Sequence, residues 1–328
     1  MVSLEAKGNL PVFIITVDAE GDDLWSQPKE IGTENAKFIP RFQELCEKYS
    51  LKPTYLTNYE MAIDEVFIEI ARDLIHRDVG EVGMHLHAWN SPPLTPLTDD
   101  DFHWGPFLIE YPQDVMRQKV EYLTKLLEDT FQIKMTSHRA GRWAFNEIYA
   151  RILDDLGYRV DCSVTPGVSW DESGSAPAGL KGTDYSSFPR DAYFLDLDSI
   201  SRPGNSKLLE VPVTIDTWRP LWARLASHVP ILKKLAWRMA PAKQWMRPKP
   251  KRFTHMGLMK MAARYAKDNS GYLQFMIHSS EFMPGGSPYF TTQKSVDGLF
   301  RDMEELFEFC SSRYRSSTLT EFADVYSN

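Results

Sequence analysis

The sequence predicts an α/β protein in which helices cover a mainly parallel β-sheet. Strand-like and helix-like stretches alternate through most of the 328 residues, which is the pattern of α/β folds. The polar residues that suggest chemistry fall at the carboxyl ends of predicted strands, where barrel enzymes build their sites. The length suits one large domain or two small ones. We expect a single domain over 1–328.

The expected strands are short apolar runs, and the expected helices are longer stretches with apolar residues three or four apart. Strands are predicted at 12–17, 53–56, 81–87, near 135, 159–164, 193–197, 208–215 and 272–277. Helices are predicted at 36–49, 63–76, 113–128, 144–156, 254–267 and 296–311. A proline-rich loop at 88–112 carries two tryptophans between the third strand and the third helix.

The composition is that of an ordinary globular protein, with 43% hydrophobic and 25% charged residues. No leader-like apolar stretch stands at the N-terminus, and no run approaches the roughly 18 apolar residues of a membrane span. We therefore expect a cytoplasmic location. The three cysteines have neither metal nor redox spacing, so they are expected to be small core residues.

Two histidines one residue apart, His85 and His87, are the clearest sign of a functional site. They alternate with Val82, Met84 and Leu86 in a stretch that predicts a strand. Side chains two positions apart on a strand point to the same face. Both imidazoles are therefore expected to point toward one place, as two ligands of one metal must.

Two carboxylates repeat this geometry at the end of the first predicted strand. Asp18 and Glu20 follow the apolar run 12–17, with Ala19 between them. Two imidazoles and one carboxylate are enough to hold a hydrolytic metal ion and leave positions open for water. A bound metal lowers the pKa of its water toward about 7, which supplies a nucleophile at neutral pH. The residue pattern therefore predicts a hydrolytic metal site.

Five short motifs, each at the end of a predicted strand, occur in one order along the chain. They are Thr16 to Glu20, Glu81 to His87, Arg139 to Trp143, Asp161 to Val164 and Ile277 to Glu281. Together they resemble the successive motifs of the polysaccharide deacetylase superfamily (NodB-like, carbohydrate esterase family 4). The resemblance covers residues 10–320 apart from one inserted segment. It implies a deformed (β/α) barrel of about seven strands and metal-dependent removal of an N- or O-acyl group from a sugar.

The resemblance implies roles for the first two motifs. Glu20 takes the place of the family's aspartate ligand and holds the metal, expected to be Zn²⁺, together with His85 and His87. Asp18 is the general base that accepts a proton from water.

The remaining motifs supply the expected proton transfer. By the resemblance, His278 is the general acid that protonates the departing amine. Arg139 pairs with Asp18 and keeps it ionised, while Asp161 orients His278. His138, beside Arg139, points to the other face of its strand and is expected to be structural.

Three departures from the family pattern concern these motifs. Ala19 separates two carboxylates that are adjacent in the family. The family's histidines are four residues apart, whereas the residue four after His85 is Trp89. The third motif lacks the proline that usually follows its arginine. Asp18 and Glu20 can therefore exchange roles, or both can contact the metal.

Four side chains near the motifs are expected to bind substrate. Trp89 and Trp143 belong to or follow the motifs, and aromatic rings stack well on sugar rings. Glu281 and Tyr289 bound a glycine-containing loop that suits the edge of a cleft. Further stacking candidates are Trp104 and Trp170.

The segment 217–252 differs from the rest of the chain in charge. It has ten Lys or Arg, no Asp or Glu and four of the nine tryptophans, although the chain's formal net charge is −8. Its apolar residues recur at helical spacing, which predicts a basic, Trp-rich helical insertion. These helices either pack on the barrel with solvated charges or contact an anionic lipid surface or lipid-phosphate-linked glycan.

We expect a hydrolase that removes an N-acyl group, acetyl or formyl, from an amino sugar. The expected substrate belongs to a cell-envelope or surface glycan or its lipid-linked precursor, which would bring the protein to the inner face of the membrane. Nucleic acid is not expected as a partner, because the chain outside the insertion is acidic. Two alternatives stay open: hydrolysis of a small non-sugar amide or ureide, and a catalytically silent carbohydrate-binding protein.

Overall fold

The computed structural model describes residues 10–171, 181–216, 225–226, 228–229, 243–250 and 254–326. A curled, mostly parallel sheet forms their centre. The strands are β1 Val12–Ala19, β2 Pro53–Thr57, β3 Glu81–Leu86, β4 Ser137–Ala140, β5 Val160–Asp161, β6 Tyr193–Phe194, β7 Leu209–Glu210, β8 Ile215–Asp216, β9 Gln244–Trp245, β10 Tyr272–His278 and β11 Arg315–Ser317. Strands β8 and β9 form a separate two-stranded sheet.

Seven strands run parallel in the order β10–β1–β2–β3–β4–β5–β7, β11 pairs in parallel with the start of β1, and β6 adds an antiparallel edge to β7. The register places Asp18 opposite His278 and His85 opposite Arg139. The carboxyl ends of these strands therefore meet at one edge of the sheet, which is where barrel folds carry their sites. The predicted α/β class, with a deformed barrel of about seven strands, is confirmed.

Irregular chain bridges the space between β10 and β7, and this explains why the barrel is deformed. The Gln274 backbone N–H donates to the Thr214 hydroxyl at 2.9 Å. The Met246 N–H donates to the Thr214 carbonyl at 2.9 Å, and the Met276 N–H donates to the Met246 carbonyl at 3.1 Å. Between β10 and β7, these single hydrogen bonds therefore take the place of continuous strand pairing.

Helices cover the outside of the sheet. They are α1 Ile39–Lys48, α2 Tyr59–Ala62, α3 Glu65–His76, α4 Asp101–Trp104, α5 Gln113–Phe131, α6 Glu147–Asp155, α7 Thr254–Asp268, α8 Gln293–Ser311 and α9 Leu319–Tyr326. Short 3₁₀ turns lie at Leu24–Ser26, Glu34–Phe38, Leu108–Glu110, Gly141–Trp143 and Ser279–Phe282. The Asp64 and Asn146 side chains cap α3 and α6 by accepting backbone N–H bonds. None of the described helices has the length and hydrophobicity that a membrane span requires.

An aromatic cluster joins the central strand β1 to the helices outside it. The Phe307 ring of α8 lies 6.0 Å from Phe13 of β1, 5.5 Å from Phe275 of β10 and 6.1 Å from Phe42 of α1. All four side chains are buried. Because β1 carries Asp18 at its end, this packing also fixes one side of the site.

Two predicted strands are shorter than expected. In one, carboxyl side chains accept the backbone N–H bonds that a neighbouring strand would accept, and in the other a proline lacks the N–H group. The predicted strand 159–164 ends after Asp161, whose carboxylate accepts from the Ser163 N–H, while Glu210 Oε1 accepts from the Val164 N–H. The predicted strand 208–215 is divided into β7 and β8 around Pro212, which has no N–H to donate.

Other boundaries also shift. The strand predicted near 135 begins at Ser137, and the one predicted at 193–197 is limited to Tyr193–Phe194. Strand β11 was not predicted, because the polar residues Arg315–Ser317 lack an alternating apolar pattern. Helix α9, which follows it, was not predicted either.

Most of the basic segment 217–252 lies outside the described residues. The helical spacing predicted between 218 and 239 therefore stays a prediction, as does the division of the chain into one domain with an insertion. The longest described stretch of this segment, 243–250, contributes β9 and three cavity-lining side chains.

We expect Phe307→Ala to lower the free energy of unfolding by about 3–5 kcal/mol, because it leaves a cavity where three buried rings meet. Urea denaturation measures this loss. Leu94→Ala is the matched control, since Leu94 is 66% exposed and should change stability by less than about 0.5 kcal/mol. Equal effects of the two substitutions would contradict the described packing.

Candidate active site and metal centre

The site lies in a cavity of about 510 Å³ at the carboxyl edge of the sheet. Five polar side chains from three strand ends meet at its floor: Asp18 at the end of β1 and Glu20 just after it, His85 at the end of β3 and His87 just after it, and His278 at the end of β10. Aromatic rings and three basic side chains line the rest. The sequence pattern had placed these five residues at strand ends, and the fold brings them into one cavity.

Glu20, His85 and His87 form a group that can hold a metal ion, and their ligand atoms lie within 4.8 Å of one another. The Nε2 atoms of both histidines lie 3.5 Å from Glu20 Oε2. A tetrahedral ion with ligand bonds of about 2.0–2.2 Å separates neighbouring ligand atoms by roughly 3.4 Å. The observed separation is too long for a good hydrogen bond but fits co-ligands of one ion. All three side chains are buried.

The hydrogen bonding of His85 leaves the correct nitrogen available for a metal. Its Nδ1 lies 2.9 Å from the Arg139 carbonyl oxygen, which can only accept, so Nδ1 carries the hydrogen. In the neutral ring Nε2 is then unprotonated and faces Glu20. Burial opposes a charge on His85, but the nearby Asp18 and Glu20 carboxylates outweigh it and raise the His85 pKa. A cation among these ligands would relieve this accumulation of negative charge.

His87 is held by packing instead. Its ring stacks on Trp89 at 4.5 Å with an interplanar angle of 20°. Burial and the neighbouring His85 hold the pKa of His87 well below its usual value, so the ring is neutral, as a metal ligand requires. Gly141 permits this approach, since a Cβ there would lie 2.3 Å from the His87 ring. The HxH spacing therefore brings both imidazoles to the same carboxylate.

Arg139 fixes the other carboxylate, Asp18. Its guanidinium donates to Asp18 Oδ1 at 2.5 Å and to the Thr16 hydroxyl at 2.8 Å, while Nε donates to the Cys162 carbonyl at 3.3 Å. Burial opposes ionisation of Asp18, but the charges of Arg139, His85 and His278 hold its pKa far below the usual range. Asp18 is therefore an ionised carboxylate whose orientation is fixed by Arg139.

His278 lies between the two carboxylates, with Nε2 at 3.7 Å from Asp18 Oδ2 and 3.7 Å from Glu20 Oε1. Its Nδ1 lies 3.3 Å from Glu281 Oε2. Burial opposes ionisation of Glu281, but Arg247 and His278 lower its pKa to about 2. The ionised Glu281 accepts the Nδ1 hydrogen, so Nε2 faces the cavity.

Two predictions need correction here. Asp161 does not orient His278; it lies 2.5 Å from His138 Nδ1, and Glu281 occupies the expected position. Glu281 does not line the cavity, because it is fully buried beneath His278. The cause is local: the 3₁₀ turn Ser279–Phe282 brings the residue three after His278 back onto its ring.

Asp161 belongs to a buried polar network under the floor. The Tyr149 hydroxyl donates to His138 Nε2 at 2.7 Å, and His138 Nδ1 pairs with Asp161. Burial opposes ionisation of Asp161, but the His138 hydrogen bond lowers its pKa. Burial and the Asp161 charge raise the pKa of Glu210 well above its usual value, so Glu210 stays protonated. His138, which was predicted to be structural, is fully buried in this network and does not line the cavity.

Aromatic side chains form much of the cavity wall. Trp89, Trp143 and Tyr289, which were predicted to bind substrate, line the cavity, as does Trp170. Trp104 is not among the lining residues. Further lining residues that the sequence pattern had not indicated are Trp25, Phe102, Phe107, Arg142, Arg247 and Lys249. Their positions depend on loops, which carry no periodic signal.

A buried carboxylate that sequence reasoning missed ties two of these loops together. Glu60 Oε1 accepts from the Gly21 N–H at 2.9 Å, and Oε2 accepts from the Asn90 side-chain amide at 2.6 Å. Gly21 follows Glu20, and Asn90 follows Trp89. Glu60 thereby couples the positions of the two segments that carry Glu20 and His87.

The backbone at one wall is strained. Arg142 and Trp143 adopt φ angles of 54° and 61°, in the left-handed region that favours glycine. Such conformations cost of order 1–3 kcal/mol each and persist where surrounding structure enforces them. Here the Arg142 guanidinium donates to the Gly105 carbonyl and lies 4.2 Å over the Phe107 ring.

Comparison with solved structures identifies the class of fold. A protein assigned as a polysaccharide deacetylase from Mycobacterium smegmatis aligns with a TM-score of 0.54 and 13% identity over 96% of this chain and 90% of that chain. A protein assigned as a glycoside hydrolase/deacetylase from Parabacteroides distasonis aligns with a TM-score of 0.55 and 11% identity, covering 98% and 71%.

A 4-alpha-glucanotransferase from Thermococcus litoralis also aligns, with a TM-score of 0.53 and 12% identity over 96% of this chain and 40% of that chain. No sequence profile of a known family and no curated protein sequence matches the chain. The chain therefore has the fold of NodB-like polysaccharide deacetylases, although its sequence identity to these structures is low.

We expect Glu281→Gln to lower the free energy of unfolding at pH 7 by a few kcal/mol, with roughly 3 kcal/mol as an upper value. The folded-state pKa of about 2 lies below the ordinary value of 4.5, so the stabilisation is fully present above pH 4.5 and is lost as pH falls toward 2. Urea denaturation should therefore show that the difference in free energy of unfolding between wild type and variant becomes smaller from pH 7 to pH 3.

Glu34→Gln is the control for this pH series, because Glu34 is 67% exposed and pairs with the exposed Lys37. If the difference in free energy of unfolding between wild type and Glu281→Gln stays constant down to pH 3, Glu281 is not an ionised residue paired with Arg247.

Proposed function

We propose that this protein is a metal-dependent hydrolase that removes an N-acyl group, acetyl or formyl, from an amino sugar. The observation that carries the proposal is that His85 Nε2 and His87 Nε2 each lie 3.5 Å from Glu20 Oε2, beside an ionised Asp18 and a cavity-facing His278. The fold shared with carbohydrate deacetylases supports a sugar as substrate.

Glu20 is the carboxylate best suited to hold the metal with the two histidines, because Asp18 Oδ1 is already committed to Arg139. When bound there, a divalent cation, for which two imidazoles and a carboxylate favour Zn²⁺, supplies Lewis-acid activation of water and of the acyl oxygen.

Asp18 and His278 divide the proton transfers. Asp18 is ionised at neutral pH and accepts the proton of the attacking water as general base. His278 gives a proton from Nε2 to the departing nitrogen as general acid, while Glu281 holds Nδ1. Arg139 acts through Asp18 as a positioning residue. Asp18, paired with Arg139, is therefore the base, and Glu20, beside the two histidines, is the metal ligand.

The shape of the cavity suits a sugar. Trp25, Trp89, Trp143 and Tyr289 present rings around the polar floor, and such rings stack on the apolar faces of pyranoses. A volume of about 510 Å³ accommodates one or two sugar units. We propose a cell-envelope or surface glycan, or its lipid-linked precursor, as the source of the amino sugar.

We expect the purified chain to retain about one divalent ion, because three buried ligands converge on one point. His85→Ala and His87→Ala should each lose it, as measured by elemental analysis after dialysis. His103→Ala is the matched control, since His103 is exposed and does not line the cavity. Full retention of the ion by either cavity variant would refute this metal centre.

Asp18→Asn and His278→Gln should each lower kcat by about 10²–10⁴ for release of acetate or formate from N-acylated amino-sugar oligosaccharides. Both variants should keep the metal, because neither residue is a proposed ligand. Asp198→Asn, whose side chain is 85% exposed, serves as the control. Unchanged kcat in Asp18→Asn or His278→Gln would remove that residue from the mechanism.

A further inference from the structure

Five segments of the chain form a wall around the polar floor of the cavity, and each supplies side chains that line it. Four of them directly follow the strands β1, β3, β4 and β10, and the fifth is hydrogen bonded to β10 through Met246. In order around the floor they are the β1 loop (20–32), the β3 loop (87–107), the β4 turn (141–143), the bridging segment (243–250) and the β10 loop (279–290). The contacts between neighbouring segments determine whether the cleft is open at its sides.

Hydrogen bonds join the first three segments. The Gln27 side-chain amide of the β1 loop donates to the His103 carbonyl of the β3 loop at 2.8 Å. The Arg142 guanidinium of the β4 turn donates to the Gly105 carbonyl of the β3 loop. The β3 loop is therefore held on both sides.

The β1 loop is also joined to the β10 loop. The Asp23 backbone N–H donates to the Gly286 carbonyl at 3.0 Å. The Trp25 ring lies 6.1 Å from the Tyr289 ring in an edge-to-face arrangement. One backbone and one side-chain contact thus close this side of the cleft.

Aromatic and ionic contacts complete the wall through the bridging segment. Its Trp245 ring lies 5.7 Å from the Trp143 ring of the β4 turn. Its Arg247 Nη2 lies 3.3 Å from Glu281 Oε2 of the β10 loop, and the guanidinium lies 5.5 Å from the centre of the Tyr289 ring. Each segment therefore contacts a neighbour on both sides, so the described residues form a closed ring around the floor.

The floor lies well below the rim of this ring. Four of the five floor side chains are buried, and that of His278 is 12% exposed. Trp25 and Phe102 of the wall are 37% and 36% exposed. The Trp25 ring lies 4.9 Å from the His278 ring, so a ligand passes the exposed tryptophan before it reaches the proposed general acid.

The shape of such a cavity limits which sugars can reach the floor. A sugar inside a polymer has a glycosidic neighbour on both sides, and both neighbours must leave the cleft. This requires a groove that is open at two ends. A ringed cavity has one mouth and admits a sugar that enters end first.

We infer that this protein acts on an amino sugar with at most one glycosidic neighbour, either the end unit of a chain or a single sugar derivative, and not on units inside a polysaccharide. This inference rests on the proposed function and specifies its substrate class. The cavity volume of about 510 Å³ agrees with a ligand of one or two sugar units.

The test uses three glucosamine-based probes, each in N-acetyl and N-formyl form: a fully acylated hexasaccharide, a hexasaccharide acylated only at its internal units, and the single sugar. We expect release from the single sugar or from an end unit to be at least about tenfold faster than from internal units, because a small misfit in a closed pocket costs that factor. Mass-spectrometric sequencing of the first hexasaccharide should locate the new free amine at an end unit. The rate with the single sugar distinguishes a single derivative from a chain end.

Trp245→Ala should open the ring, because the Trp245 indole contacts both Trp143 and Trp170. We expect it to raise the ratio of release from the internally acylated hexasaccharide to release from the preferred probe. The ratio cancels any general loss of activity. Tyr122→Ala is the control, because Tyr122 is 42% exposed on α5 and does not line the cavity.

Equal rates of release from internal and end units would overturn the inference while the proposed function holds. A ratio in Trp245→Ala that stays at the wild-type value would overturn it as well, because the wall would then not be what excludes internal units. No release from any probe would instead contradict the proposed function, and the inference with it.

Discussion

Arg139 is the residue on which the arrangement of the site depends. Its side chain crosses the barrel interior, fully buried, and joins Asp18 and Thr16 of β1 to the Cys162 carbonyl beyond β5. Its carbonyl oxygen meanwhile accepts the Nδ1 hydrogen of His85. One residue thus sets the ionisation of the proposed base and the tautomer of a proposed metal ligand. Leaving a buried carboxylate without its partner costs about 3–5 kcal/mol, so stability and chemistry are linked here.

Other buried residues position the remaining side chains of the site. Glu20 is available to bind a metal with the histidines, because Arg139 is paired with Asp18 instead. Glu60 accepts hydrogen bonds from the loops on which Glu20 and His87 lie. His278 is directed by Glu281 from the opposite side. Asp18 and His278, the two groups proposed to transfer protons, are therefore held by different buried partners, Arg139 and Glu281.

The sequence allowed the fold class and the five floor residues to be predicted because both depend on local periodicity. The alternation around His85 and His87 sets their common face, and parallel strands bring their carboxyl ends together. The partner of His278 was assigned wrongly to Asp161, because that choice depends on a 3₁₀ turn after β10 and on His138 capturing Asp161. The basic cavity residues were missed as well, since the fold alone brings 247 and 249 beside Tyr289.

The most direct test of this account is anomalous diffraction from crystals of the metal-loaded protein, recorded on both sides of the absorption edge of the bound ion. The account predicts one strong peak between Glu20 Oε2, His85 Nε2 and His87 Nε2, with Asp18 still paired to Arg139. A peak at any other place, or no peak at this one in protein that retains its metal, would contradict it.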